Sequence, residues 1–438
     1  MIISVFYRYA IIDAMQIKIE KIAYPGKSLS GTGGKIIFTD EGLPGELVEV
    51  KPIKEKSNFI EARTVSVISP SAGRIKPRCP HYKICSPYQY MEYDTQVKIK
   101  QAQLKEDFFG HRLKVELPDI VFRPAPEIWN YRNKISINII WEDNTPHLAY
   151  NQPDSPAEFE KIEKCFLVSD NMNLLLNRLL QAAEDNKLRF INKAVVKESS
   201  HDKSLLLTLY GGEPKEPKDF SGIFDGLMEV FPLSGIIYIC KKKNRRLVIS
   251  GDYFIEERIG KTRFLVGAES FFQTNIRMLE MLAGDLMNSI MTDKKTTVAD
   301  LYCGVGTFGI LLAKKASKVI AVESSKENIQ FLKKNAGLNN ITNFYIGKGD
   351  CAKLIGSVLK ESPAVLVVDP PRKGLDKNIC RNILMKPPRS IAYISCNPAT
   401  LTRDLGILMS AYKMKKAFAY DFFPQTPHME TLVILEKR

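Results

Sequence analysis

The chain has no apolar run approaching the roughly 18 residues that a membrane-spanning helix needs, and it has no internal repeat or low-complexity tract. Membrane-spanning, fibrous and repeat architectures are therefore not readings of this sequence. Acidic residues are in short supply: 49 Asp and Glu stand against 63 Lys and Arg, a net charge of +14 over 438 residues. That surplus favours a polyanionic partner, nucleic acid before an anionic membrane surface. A secretory signal is missing too. Met1–Met15 is apolar, but Arg8 interrupts it and no small-residue cleavage site follows. Met15 is an alternative start, with the residues before it an upstream extension. The 8 cysteines (Cys79, Cys85, Cys165, Cys240, Cys303, Cys351, Cys380 and Cys396) are scattered through the chain. Reduced thiols in the cytoplasm are expected rather than a disulfide framework. With 45% apolar and 26% charged residues the protein is globular, and its length suits roughly two to three domains.

The pattern changes along the chain. Residues 15–69 read as short strands with β-branched residues at period two, separated by Gly and Pro, which suits a small β-barrel of the OB type. Pro70–Tyr90 is Pro-rich and irregular, a loop or a metal knuckle, and 94–115 has helical spacing. The middle, to about 260, mixes strands such as KISINIIW, SLLLTLYG and GIIYIC with a helix near 169–187 and a basic run from Lys241 to Arg246. From about Phe264 strands alternate with helices, which predicts a doubly wound, mostly parallel α/β sheet.

Within that last stretch the apolar strand from Val298 runs into Gly304-Val305-Gly306-Thr307-Phe308-Gly309 and then a helix. Glycines allow a tight turn and close backbone approach to a ligand at a helix start. Glu323 ends the next strand at the spacing of about 20 residues where a carboxylate accepts from ribose hydroxyls. A dinucleotide and S-adenosylmethionine both fit this loop. The preceding carboxylate, Asp300, favours the second, because an acid there suits a cationic methionine end. Asp350 ends the third strand region and is placed toward the adenine.

Two further strand ends carry polar groups before proline: Asp369-Pro370-Pro371-Arg372 and Cys396-Asn397-Pro398. Near the C-terminus FPQTPHMETL places His428 and Glu430 at the start of the last strand. Taken in order, SFFQTN, LYCGVGTFG, VVDPPRKGLD, YISCNPATLTRDL and FPQTPHMETL resemble the RNA uracil-5-methyltransferase family. The likeness covers nearly the whole chain, including an N-terminal barrel of the TRAM type. It implies TRAM at 15–69, a central α+β domain at 70–93 and 120–262, and a Rossmann-like methyltransferase domain at 94–119 and 263–438. It also implies Cys396 as nucleophile and Glu430 as proton acceptor. Gln273, Tyr302, Glu323 and Asp369 are its cofactor residues, beside Gly304, Gly306 and Asp350 read from the loop and strand ends. The chemistry explains the residue types. Uracil C5 is a poor nucleophile until a thiolate adds at C6, and a base must later remove the C5 proton. A target base must also flip out of its stack to reach a buried thiol.

The chain departs from the family at one place. Many members hold a 4Fe-4S cluster on C-x5-C-x2-C plus a distant cysteine. Here Cys79, Cys85 and Cys165 match, but Tyr88 stands at the third position. Such clusters take four thiolates, so no iron–sulfur cluster or other metal is expected. The loop's remaining task would be to shape an RNA-facing surface with Arg74, Lys76, Arg78 and Lys83. The expected partner is RNA, with no membrane, and the expected state is a monomer. By family analogy the three-part layout favours 23S rRNA over tRNA. Cytosine-5 methylation is the enzyme alternative, and it fits less well because DPPR stands where those enzymes carry their nucleophile. RNA binding without catalysis is the other.

Overall fold

The computed structural model describes residues 14–438 except 33, 111, 112, 114–117, 154 and 291. The stretch 1–13, on which the reading of an upstream extension rests, lies outside them. The chain forms two compact units: residues up to Gln103 with Gln425–Pro427, and Leu104–Pro424 with His428–Arg438.

The first unit holds a six-stranded sheet, from Met15–Lys18 to Phe59–Ser69 in chain order. Its strands are antiparallel except where Lys35–Thr39 runs parallel to Phe59–Ser69. Period-two alternation buries Ile17, Ile37, Val48 and Val50 on one face. Beneath the cysteine-bearing segment a second cluster gathers Ile22, Leu43, Tyr88, Tyr90 and Met91. Arg74 is not the surface cation that its loop suggests. Its guanidinium grips Glu46 at 2.7 and 2.8 Å and Glu41 at 2.5 Å, while Lys83 pairs with Asp40 at 3.0 Å. Both charges therefore tie the segment to the sheet. The helical spacing at 94–115 appears as an α-helix over Tyr93–Ala102 that widens to a π-helix over Gln103–Gly110.

The second unit contains a seven-stranded sheet built from residues 134–251, mostly antiparallel. The helix Asp170–Asp185 packs on it, its start capped by the Ser169 hydroxyl, which accepts from the Met172 amide. Leu175, Leu176, Leu179, Val196, Leu207 and Ile236 join in its core. The basic run turns at Lys241–Lys243, and two of its charges are paired: Arg245 with Glu216 at 2.7 Å, and Arg246 with Glu269 at 3.0 Å and with Glu327.

An eight-stranded sheet carries the site. Its strands are β1 (Ile120–Arg123), β2 (Thr297–Leu301), β3 (Lys318–Glu323), β4 (Phe344–Lys348), β5 (Val365–Val368), β6 (Ser390–Ser395), β7 (Tyr412–Tyr420) and β8 (Glu430–Lys437). The helices are α1 (Ile276–Ser289), α2 (Thr307–Ala313), α3 (Lys326–Leu338), α4 (Cys351–Lys360), α5 (Lys377–Met385) and α6 (Pro398–Leu408). The strand order is β4-β3-β2-β5-β6-β8-β7-β1. The five strands β4, β3, β2, β5 and β6 are parallel, and β8 enters antiparallel between β6 and β7. Every residue of β5 is buried, as expected of a strand covered on both faces. β1 differs from the sequence reading, which grouped Ile120–Arg123 with the central stretch; it pairs in parallel with β7. Between β2 and β5 the connections leave in opposite directions, which opens a crevice at the carboxyl ends of the strands. Among the described residues no helix is long and apolar enough to cross a membrane.

Candidate active site

The loop after β2 departs at once from strand geometry. Tyr302 has φ +62°, Gly304 +56° and Gly306 +95°, left-handed values that cost glycine little. A Cβ on Gly306 would also strike Leu332 and Ile310, so helix α2 can start there only on a glycine. Glu323, at the end of β3, holds this loop. Its Oε2 accepts from the Gly304 amide at 2.9 Å, and its Oε1 accepts from the Ser324 and Ser325 amides, both at 2.7 Å. Asp300, inside β2, accepts from the Gly309 amide at 2.8 Å through Oδ2, while its Oδ1 is buried without a donor. Burial first, then Asp369 and Glu323, push its carboxyl up to about 8.

Asp369 follows β5 and is pushed up to about 7 by burial. Cys396 follows β6 and is half-buried. Ser395 pairs with Thr431 in the β6–β8 ladder, and the Thr431 hydroxyl donates to the Ser395 carbonyl at 3.0 Å. Cys396, in the bend after β6, and Glu430, the first residue of β8, are the next residues beyond that rung. The burial of this corner pushes the Cys396 thiol up to about 12, with Glu430 and Asp369 adding to the rise and Arg372 opposing it. Glu430 is 3% exposed and its Oε2 meets no donor. Its carboxyl is held well above the usual carboxylate range by burial and by Asp369, again opposed by Arg372. Three acidic groups thus share one corner with one nearby cation.

The loop that carries Asp369 and Arg372 is fastened to the start of α6. Asn397 Nδ2 and the Thr400 hydroxyl donate to the Arg372 carbonyl at 3.0 and 3.2 Å. Arg403 Nη2 donates to the carbonyls of Lys373 at 3.0 Å and Leu375 at 3.2 Å. Buried Asp404 accepts from the Leu375 amide at 2.8 Å and from the Tyr393 hydroxyl at 2.6 Å. Gly374, at φ +76°, lies against the Asp404 carboxylate with no room for a side chain. Sequence reasoning quoted DPPRKGLD and PATLTRDL without seeing that Arg372, Arg403 and Asp404 link them. The glycine of the first and the carboxylate of the second were the available signals.

Of the residues expected at the site, Tyr302, Gly304, Gly306, Glu323, Asp369, Cys396 and Glu430 all lie at the carboxyl-end edge of β2, β3, β5 and β6. Asp350 caps α4, its Oδ1 accepting from the Ala352 amide at 2.8 Å. Gln273 is buried in the segment entering α1, and no hydrogen bond joins it to the strand-end residues among the described residues.

The tRNA (uracil-5-)-methyltransferase family model matches residues 92–438. The chain belongs to this family. Curated relatives span nearly the full length. An uncharacterized RNA methyltransferase of Bacteroides thetaiotaomicron is 31% identical over 95% of this chain and 100% of its own. One from Clostridium acetobutylicum is 27% identical over 97% of this chain and 98% of its own. Among solved structures, the Pyrococcus abyssi tRNA (uracil-54, C5)-methyltransferase with S-adenosyl-L-homocysteine superposes with a TM-score of 0.76 at 23% identity. That superposition covers 96% of this chain and 100% of the other, a likeness of fold. As a member of the family the protein is an S-adenosylmethionine-dependent RNA methyltransferase.

The residues fit that methyl donor. The loop at Gly304 and Gly306 leaves backbone approachable, three amides fix the Glu323 carboxylate where a ribose hydroxyl could meet it, and Asp300 Oδ1 is a buried polar atom with no partner among the described residues. An iron–sulfur cluster does not fit. Tyr88 stands at the third ligand position, fully buried, with its amide bonded to the Gln425 carbonyl at 3.0 Å. No group of three or more His, Cys, Asp and Glu side chains is arranged for a metal among the described residues.

Proposed function

We propose that this enzyme forms 5-methyluridine in structured RNA, with 23S rRNA as substrate and Cys396 and Glu430 as the reacting pair. The observation that supports the reading is the β6–β8 ladder, whose last rung, Ser395–Thr431, is followed at once by the thiol on one side and on the other by a buried carboxyl with one unpartnered oxygen. Thiolate addition of Cys396 Sγ to uracil C6 forms an S–C bond, and the C5=C6 electron pair passes to an enolate with carbanion character at C5. Bound S-adenosylmethionine supplies an electrophilic methyl on a cationic sulfur. Once C5 carries that methyl, Glu430 accepts the C5 proton, the C–H pair re-forms C5=C6, and Sγ leaves as thiolate. Arg372 opposes the burial that would keep Glu430 protonated, and in its ionised form the carboxylate has the proton affinity this step needs. Arg372 and the amino end of α6 favour the thiolate against the burial that opposes it. Gln273, Tyr302, Glu323, Asp369 and Asp350 would hold the donor, with the backbone at Gly304 and Gly306.

The rRNA assignment rests on the order of the three sequence stretches and the cysteine-bearing loop. A tRNA substrate is the second reading, favoured by the full-length likeness to the tRNA (uracil-54, C5)-methyltransferase structure. Mass spectrometry of rRNA and tRNA from cells lacking the protein tests both. Loss of 5-methyluridine from 23S rRNA is the expected result, and loss from tRNA alone would transfer the assignment. An unchanged content in both would refute uracil methylation.

A further inference from the structure

An open cleft of about 950 Å³ lies in the second unit and is lined by none of Asp300, Glu323, Asp369, Cys396 or Glu430. Its volume is at the upper end of the roughly 300–1,000 Å³ of small-ligand pockets. Trp129, Arg132, His201, Lys203, Arg258 and Arg277 line it. Trp129 is fixed edge-on against Phe166, with centroids 6.5 Å apart. The Arg132 guanidinium lies 5.8 Å from the rings of both Tyr131 and Phe423. Arg277, exposed in the first turn of α1, makes no ion pair or side-chain hydrogen bond among the described residues. The acids on the same walls are mostly engaged. Glu198 takes the Ser169 hydroxyl and faces Lys203 at 3.6 Å, Asp170 holds Lys164 at 2.8 Å, and Glu280 accepts from the Gly260 amide at 3.2 Å.

Two chain segments join this cleft to the candidate active site. Asn275 lines the cleft, caps α1 by accepting from the Met278 amide at 3.2 Å, and donates to the Phe422 carbonyl at 3.1 Å. It follows Gln273 by two residues. Phe423, beside Arg132, belongs to the connection that leads into Glu430 at the start of β8.

We propose that this cleft is a second nucleotide site, taking an unstacked base and its phosphate from a nucleotide flanking the target uridine. The proposal rests on the RNA uracil-methylation reading. Flipping one base removes the stacking partner of its neighbours, and splayed bases stack on aromatic faces or guanidinium planes. Trp129 and Arg132 offer such surfaces, and Arg277, with no ion pair among the described residues, offers positive charge for the phosphate.

The chain has 2 tryptophans, so Trp141→Phe leaves Trp129 as a single reporter. A ten-nucleotide uridine oligomer should quench its emission, while S-adenosyl-L-homocysteine alone should not. In the same background Arg277→Glu should weaken oligomer binding on the order of tenfold. It should leave S-adenosyl-L-homocysteine affinity unchanged, because an acidic residue in the first turn of a helix is itself favourable. Unchanged emission at a saturating oligomer concentration, or oligomer affinity unaffected by Arg277→Glu, would overturn the proposal. A protein whose Trp129 responds as expected, yet which methylates uracil C5 in neither rRNA nor tRNA, would refute the proposed function and leave the cleft standing.

Discussion

Asp404→Ala should destabilise the protein and slow it at once, because Asp404 is the buried acceptor on which the strand-end loops converge. The residue is 1% exposed. Its removal leaves two donors without an acceptor, the Tyr393 hydroxyl and the Leu375 amide, in a place water does not reach. Each orphaned donor costs about 1–3 kcal/mol. The ion pair to Arg403 adds about 0–1 kcal/mol, since the guanidinium is half-exposed and screened. The sum is on the order of 4 kcal/mol, against about half that for Asp404→Asn, which keeps one carbonyl acceptor. Urea unfolding of the parent and the two variants measures the difference. Because Leu375 and Arg372 share one short loop, the alanine variant should also lose methyl transfer more steeply than it loses S-adenosyl-L-homocysteine binding. A loss of stability below about 0.5 kcal/mol, or transfer at the parental rate, would refute the reasoning that Asp404 anchors this corner.

Cys396→Ala should abolish methyl transfer and the covalent adduct with 5-fluorouridine RNA while retaining S-adenosyl-L-homocysteine binding by calorimetry; normal turnover would remove the thiol from the mechanism. Glu430→Gln should accumulate a methylated RNA–protein complex on denaturing gels, because addition proceeds and elimination stalls, and the absence of any trapped complex would point to another base. Asp300 carries a pH signature. Its carboxyl is raised from 3.8 to about 8 in the folded protein, so the folded state retains a proton that the unfolded chain releases above about pH 4. Its contribution is therefore present below that pH and is lost as pH rises toward 8. Asp300→Asn should flatten the decline in urea midpoint between pH 5 and 8, and an identical decline in parent and variant would count against a buried, protonated Asp300.

The parallel half of the sheet was readable because its strands are uniformly apolar and end in Gly, Asp-Pro or Cys-Asn-Pro, which marks both the fold and the crevice side. Glu323 and Glu430 were readable from spacing and from motif respectively. β1 was not. Ile120–Arg123 is 4 residues long and is held by pairing with Tyr412–Tyr420, with Ile120 opposite Ala417, 297 residues further along the chain. Arg74 misled for a related reason. A cation in a Pro-rich loop reads as solvated, whereas Glu41 and Glu46, which pair with it, come from the connection between Lys35–Thr39 and Leu47–Glu55. Asp404 looks like the exposed face of a helix until Tyr393 covers it. In each case the missing information was a long-range contact, which local periodicity does not encode.

The reversed direction of β8 has a mechanical consequence. In the parallel strands a side chain at this edge must wait for the strand to finish, so loop geometry sets its position. Glu430 instead opens its strand, and the ladder with Ser390–Ser395 sets its height. A residue inserted into β6 would turn the following side chains to the opposite face and part the thiol from the carboxyl. The ladder thus fixes Glu430 up to the Ser395–Thr431 rung, and the bend after β6 sets the last step to the thiol.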